Sequence, residues 1–200
     1  MLKNNVSIAA VIPVSVRGNG CFCLVILFLC FVQTPAAANS YETAIVAAAE
    51  GGDPQSQFAL GLLYEHGAET IDRNPEQAIF WFEKAGRERI AGACLYLGLK
   101  YEYGNRVKKD LVQAACWYEC AARKDWPAAQ YFLATMYEKG KGVVQSSFNA
   151  LVWFGLAAEY EYPGAEAEFL KIQSSIGLKN MDRLRRTQRQ LLQSDGPICN

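Results

Sequence analysis

Chemistry in this chain would have to come from cysteines, one histidine and a set of regularly spaced glutamates. With His66 the sole histidine, neither a His-based triad with a spare nor a multi-histidine metal site can be built. Ser-x-x-Lys, Gly-x-Ser-x-Gly and a phosphate-binding glycine loop are all missing. Glu65, Glu102 and Glu138 each follow a tyrosine at a nearly constant interval. A carboxylate in every copy of a pattern reads as structural, because an active site occurs once. Cys21, Cys23 and Cys30 lie near the start of the chain, and Cys94, Cys116, Cys120 and Cys199 lie beyond it. Cys94 and Cys120 stand at equal distances on either side of Val107, the middle of a helical hairpin loop, so an antiparallel helix pair brings them level. In an oxidising compartment they can join, stabilising the middle of the chain by ~2–4 kcal/mol. The alternative is that the cysteines are small buried hydrophobes. Cys116 and Cys120 share one helix face, but two ligands are too few for a metal site. No cofactor is expected.

The elements that must position these residues form a unit of about 36 residues, written three times. One mark is Leu60-Gly61…Tyr64…Gly67, Leu97-Gly98…Tyr101…Gly104 and Leu133-Ala134…Tyr137…Gly140. The other is Ala78…Trp81…Ala85, Ala114…Trp117…Ala121 and Ala150…Trp153…Ala157. Both carry apolar residues at the 3–4 spacing of a helix stripe. The spacing predicts an A helix and a B helix per unit, over 54–65 and 75–88, 91–103 and 111–123, then 128–139 and 147–159. Asn74, Asp110 and Ser146 precede the B helices, where each can cap an orphan N–H for ~0.5–2 kcal/mol. A small residue held in mid-helix at Gly61, Gly98 and Ala134 predicts close approach by a neighbouring helix. No helix pair can bury its apolar face alone, so the pairs must stack.

Ahead of the repeats, Lys3 and Arg17 precede a wholly apolar stretch over 21–32, and Pro35 precedes Ala36-Ala37-Ala38. That is the order of a secretory signal, with cleavage expected between Ala38 and Asn39 and a periplasmic or extracellular destination. The rival is an uncleaved membrane anchor. The remaining chain carries 18 Lys and Arg against 20 Asp and Glu, which gives no general reason to expect a nucleic-acid partner. The expected organisation is a signal peptide over 1–38 and a repeat domain over 39–200. The domain comprises a half unit (41–52), units over 54–90, 91–126 and 127–162, and a C-terminal cap over 163–193.

These two marks at this period resemble the Sel1-like repeat family, α/α repeats related to tetratricopeptide repeats. The resemblance covers about residues 41–192. It implies an all-α fold, a short α/α solenoid of about three helix-pair repeats with capping helices, and a non-catalytic scaffold for other proteins or peptides. It also implies that A-helix residues line a concave face, which makes Tyr96, Lys100, Tyr103, Phe132, Thr135 and Lys139 the candidate partner-binding residues. Aromatic and basic residues of this kind suit a peptide with apolar anchors and some acids. Cysteine-rich relatives staple a B helix to the next A helix. Cys94 matches one half of that staple, but Gly86 stands at the other half. The third unit has the family's Tyr137…Gly140…Gly142-Val143 loop. In the second unit Arg106 replaces the second glycine, and the first unit has one extra residue near 68–73, so both loops are expected to differ in conformation.

Two other roles stay open on sequence. One is binding or modification of cell-wall peptides, as in cysteine-rich relatives, with a small ligand conceivable. The other is peripheral membrane attachment through the base-rich segment Lys171, Lys179, Arg183, Arg185, Arg186 and Arg189.

Overall fold

The structure, a computed structural model, describes residues 35–176 together with 186–187 and 199. Residues 1–34 of the expected signal peptide and most of the expected C-terminal cap beyond 176 lie outside the described residues. Eight helices are described: α1 (Pro35–Glu50), α2 (Pro54–His66), α3 (Pro75–Arg87), α4 (Ala91–Tyr103), α5 (Leu111–Ala122), α6 (Pro127–Lys139), α7 (Ser147–Glu159) and α8 (Ala165–Ile176). The main packing runs from each helix to its neighbours in sequence. The chain is therefore an all-helical stack of the pairs α2/α3, α4/α5 and α6/α7, with α1 against α2 and α8 against α7. No helix among the described residues is long and apolar enough to cross a membrane.

The B helices begin at the expected caps. Asn74 Oδ1 accepts from the Gln77 N–H (3.0 Å), Asp110 Oδ1 from Val112 and Gln113 (2.9 and 3.0 Å), and Ser146 Oγ from Asn149 (3.2 Å). Asp53 does the same for α2 through Ser56. Each bond satisfies a donor that the first helical turn leaves without a partner.

The small mid-helix positions are explained by aromatic rings rather than by backbone. A Cβ on Gly61 would stand 2.6 Å from the Phe82 ring, and one on Gly98 2.5 Å from the Tyr118 ring. Phe82 and Tyr118 belong to the B helix of the same unit, and both are fully buried. Burying a ring of this size contributes about 1.5–3 kcal/mol, which outweighs the ~1 kcal/mol that a mid-helix glycine costs. Trp117 joins the second unit to the first. The Trp117 ring lies where a Cβ on Gly86 would be, at 2.9 Å, with Leu97 beside it.

The two atypical loops differ from each other. Gly104 and Gly140 both end their A helices in the left-handed region, at φ 73° and 65°. Arg106 then takes φ 65° where Gly142 has φ 70°. The second loop thus keeps the family geometry despite losing its glycine, contrary to the sequence expectation. The first loop does depart, with Gly67 at φ 80°, ψ 156°. Its extra length receives α1. The Glu42 carboxylate accepts from the N–H groups of Glu69 (3.1 Å) and Thr70 (2.9 Å) and from the Thr70 hydroxyl. The Thr70 hydroxyl and then the Thr70 N–H hold this carboxyl below its usual pKa, since both bonds favour the charged form.

Candidate partner-binding groove

Two hollows open between successive A helices, and all six candidate residues line them. The first, about 240 Å³, lies between α2 and α4 and is lined by Glu65, Tyr96, Leu99, Lys100, Tyr103 and Asn105. The second, about 310 Å³, lies between α4, α6 and α8, and Tyr103, Phe132, Thr135 and Lys139 contribute to its wall. Tyr103 lines both, at the last residue of α4, and is 70% exposed. It is a large aromatic side chain that the fold leaves uncovered.

The other candidates are more firmly held. Tyr96 stacks on Phe82 at 5.1 Å between ring centres. Phe132 packs on Tyr118 at 5.3 Å. The Thr135 hydroxyl donates to the Tyr131 carbonyl at 3.0 Å. Tyr96 and Phe132 therefore form a fixed aromatic floor in the hollows while also joining elements of the stack. Lys100 is not the solvent-facing base that its place on the A helix implied. It is only 5% exposed, and its Nζ sits 2.7 Å from Glu65 Oε1. Its charge is therefore neutralised from the preceding unit. Glu65 Oε2, by contrast, is buried with no hydrogen-bond partner among the described residues. Glu65 lines the first hollow, but this oxygen is turned away from solvent beneath its wall. Lys139 remains exposed.

The repeated glutamates have structural work to do, each in a different way. Glu65 pairs with Lys100. Glu102 accepts from the Tyr118 hydroxyl at 2.6 Å. Burial, and then this bond, raise the Tyr118 pKa, because ionisation would place two negative charges together. Glu138 meets Lys171 of α8 at 3.2 Å. Lys171 also meets Glu168 at 2.8 Å, and these two bonds, Glu168 first, raise its pKa. Lys171 thus belongs to an exposed ion-pair group at the end of the stack. His66 is exposed at the end of α2.

Cys94 and Cys120 are joined as a disulfide between α4 and α5, with Cα atoms 5.9 Å apart. Cys94 Sγ also lies 3.7 Å from the Gly86 carbonyl. A second disulfide joins Cys116 to Cys199, across 83 residues. Sequence reasoning did not pair these two, although once Cys94 and Cys120 are joined they are the two that remain beyond the expected cleavage site. Other lining residues escaped as well. Tyr131, Met136 and Glu168 belong to the second hollow, and only Tyr131 carried a signal, as an aromatic beside Phe132. Among the described residues, no cluster of three or more His, Cys, Asp or Glu can hold a metal ion.

The family model for the Sel1 repeat matches residues 54–88, 91–126 and 127–159. Among solved structures, a Sel1 repeat protein from Oxalobacter formigenes is 32% identical, with a TM-score of 0.61 over 64% of this chain and 96% of that one. A protective antigen present in uropathogenic Escherichia coli strains, displaying an SLR fold, is 25% identical with a TM-score of 0.54. The match covers 83% of this chain but 43% of the antigen. Helicobacter pylori cysteine rich protein B is 25% identical, with a TM-score of 0.51 over 67% of this chain and 96% of its own. A comparison with curated proteins returned no match.

Proposed function

Because this chain belongs to the Sel1 repeat family, whose members generally act as protein–protein interaction scaffolds rather than enzymes, we propose that it is an exported, non-catalytic scaffold. It holds a protein or peptide partner in the groove formed by the two hollows. One observation carries this reading: Tyr103 stands 70% exposed between two adjoining hollows whose floors are fixed aromatic rings. An uncovered aromatic over a preformed concave surface is the usual anatomy of a binding hot spot. Little conformational freedom is lost when the floor is already rigid. Lys139 at the rim suits an acidic residue of the partner.

Export is supported by the apolar segment at 21–32 followed by Ala36-Ala37-Ala38. Disulfides that take up Cys94, Cys116, Cys120 and Cys199 also suit an oxidising compartment.

Crosslinking in the expressing cells, followed by pulldown, tests the groove. The wild-type protein is expected to retain a discrete partner, and Tyr103→Ala, with unchanged helicity, to weaken retention about tenfold or more. Tenfold corresponds to about 1.4 kcal/mol, and a hot-spot aromatic contributes at least that much. A partner held equally by both proteins would move binding elsewhere on the chain.

A further inference from the structure

The repeated glutamates differ in one respect that bears on what the groove holds. Glu65 is neutralised by Lys100, the residue just before the repeated tyrosine of the next unit. Glu138 is neutralised by Lys171 of α8. For Glu102 the corresponding residue in the next unit is Met136, just before Tyr137, so no lysine stands there. Glu102 makes no ion pair among the described residues, and its one hydrogen bond is from the neutral Tyr118 hydroxyl. Glu102 and Met136 both line the second hollow. Lys139 and Lys141 also line it, but neither comes within ion-pair distance of Glu102. Tyr103, Tyr131 and Phe132 supply aromatic surface in the same wall.

We propose that the second hollow receives an Arg or Lys side chain of the partner polypeptide, which gives Glu102 the positive charge that Lys100 gives Glu65. This rests on the groove reading above and adds the chemistry of the residue bound. A carboxylate without its cation, beside aromatic surface, suits an alkyl-stemmed cation. The stem packs on the rings, the head pairs with the carboxylate, and a ring face adds a cation–π contribution. One carboxylate with aromatic neighbours offers too few oxygen ligands for a hard metal ion. With the groove read as a polypeptide site, the occupant is an Arg or Lys side chain. Tyr103 connects its site to the first hollow, where neighbouring residues of the same partner can lie.

The probe is an array of 12-residue peptides with Leu, Phe and Tyr around a central Arg, Lys, citrulline or Glu. Citrulline keeps the shape of Arg without its charge. The purified wild-type protein is expected to hold Arg and Lys peptides about tenfold or more above the citrulline and Glu series, the range of a charge-assisted bond. Glu102→Gln is expected to erase that preference while still accepting from the Tyr118 hydroxyl. Met136→Lys is expected to erase it by supplying the cation internally, as Lys100 does, with the helical circular dichroism signal unchanged. A preference for Arg that survives in both variants overturns the inference. So does binding that ignores the central residue yet falls in Tyr103→Ala, and in that case the groove reading stands. Failure of the wild-type protein to hold any peptide of the array counts against the groove reading itself.

Discussion

Replacing Cys199 by serine is expected to lower the stability of the oxidised protein by about 4 kcal/mol, read as a lower urea midpoint. The Cys116–Cys199 disulfide closes a loop across 83 residues that contains α6, α7 and α8. A crosslink over that span removes far more freedom from the unfolded chain than one over a short loop, and the loop-entropy relation gives about 4–5 kcal/mol. The Cys94–Cys120 bridge spans 26 residues, so Cys94→Ser is expected to cost less by that relation, about 3 kcal/mol. Under reducing conditions the difference between wild type and Cys199→Ser should vanish. Equal midpoints under oxidising conditions, or an exported protein whose Cys116 and Cys199 both alkylate without reduction, would contradict the pairing.

Gly142→Ala is expected to destabilise the third unit by roughly 2–6 kcal/mol. Two effects add. Gly142 has φ 70°, a conformation that costs a residue with a side chain on the order of 1–3 kcal/mol. A Cβ there would also run into the Leu111 carbonyl oxygen at the start of α5, which is backbone and cannot swing away. Overpacking of that kind costs about 1–3 kcal/mol more. Arg106 provides the control. It occupies the matching place in the preceding loop at φ 65°, and its Nη1 lies 3.3 Å from Glu76 Oε1. Both partners of that pair are more than half exposed, so it contributes about 0–1 kcal/mol. Arg106→Gly relieves the backbone at a cost no larger than that pair, and stability should stay within about 1 kcal/mol of wild type. Thermal denaturation of the two variants beside wild type measures both. A Gly142→Ala protein as stable as wild type would mean that the third loop does not pack on α5.

The repeat made most of the fold legible from sequence. Three copies of the same two marks fix the helices to within one or two residues, and the caps fall where Asn74, Asp110 and Ser146 stand. The features that escaped break the period. Glu42 reaches the first loop because that loop alone is one residue longer, and nothing in α1 announces the contact. Cys199 lies in a tail with no repeat register, so only the even number of remaining cysteines hinted at its partner. Placing residues on A helices picked six that lie on the walls of the two hollows, and left out others such as Tyr131, Met136 and Glu168. It did not reveal that Lys100 is neutralised by Glu65, since helix position alone does not say whether a long side chain folds back on a neighbouring unit.

The most direct test of the groove is site-specific photocrosslinking in the expressing cells, with benzoylphenylalanine in place of Tyr103. Phe80 is the comparison position: an exposed aromatic on α3, 47% accessible, that lines neither hollow. Irradiation is expected to give a discrete protein or peptide adduct from position 103 and none from position 80. An adduct from position 80 with none from position 103 would place the partner away from the A helices and contradict the scaffold groove.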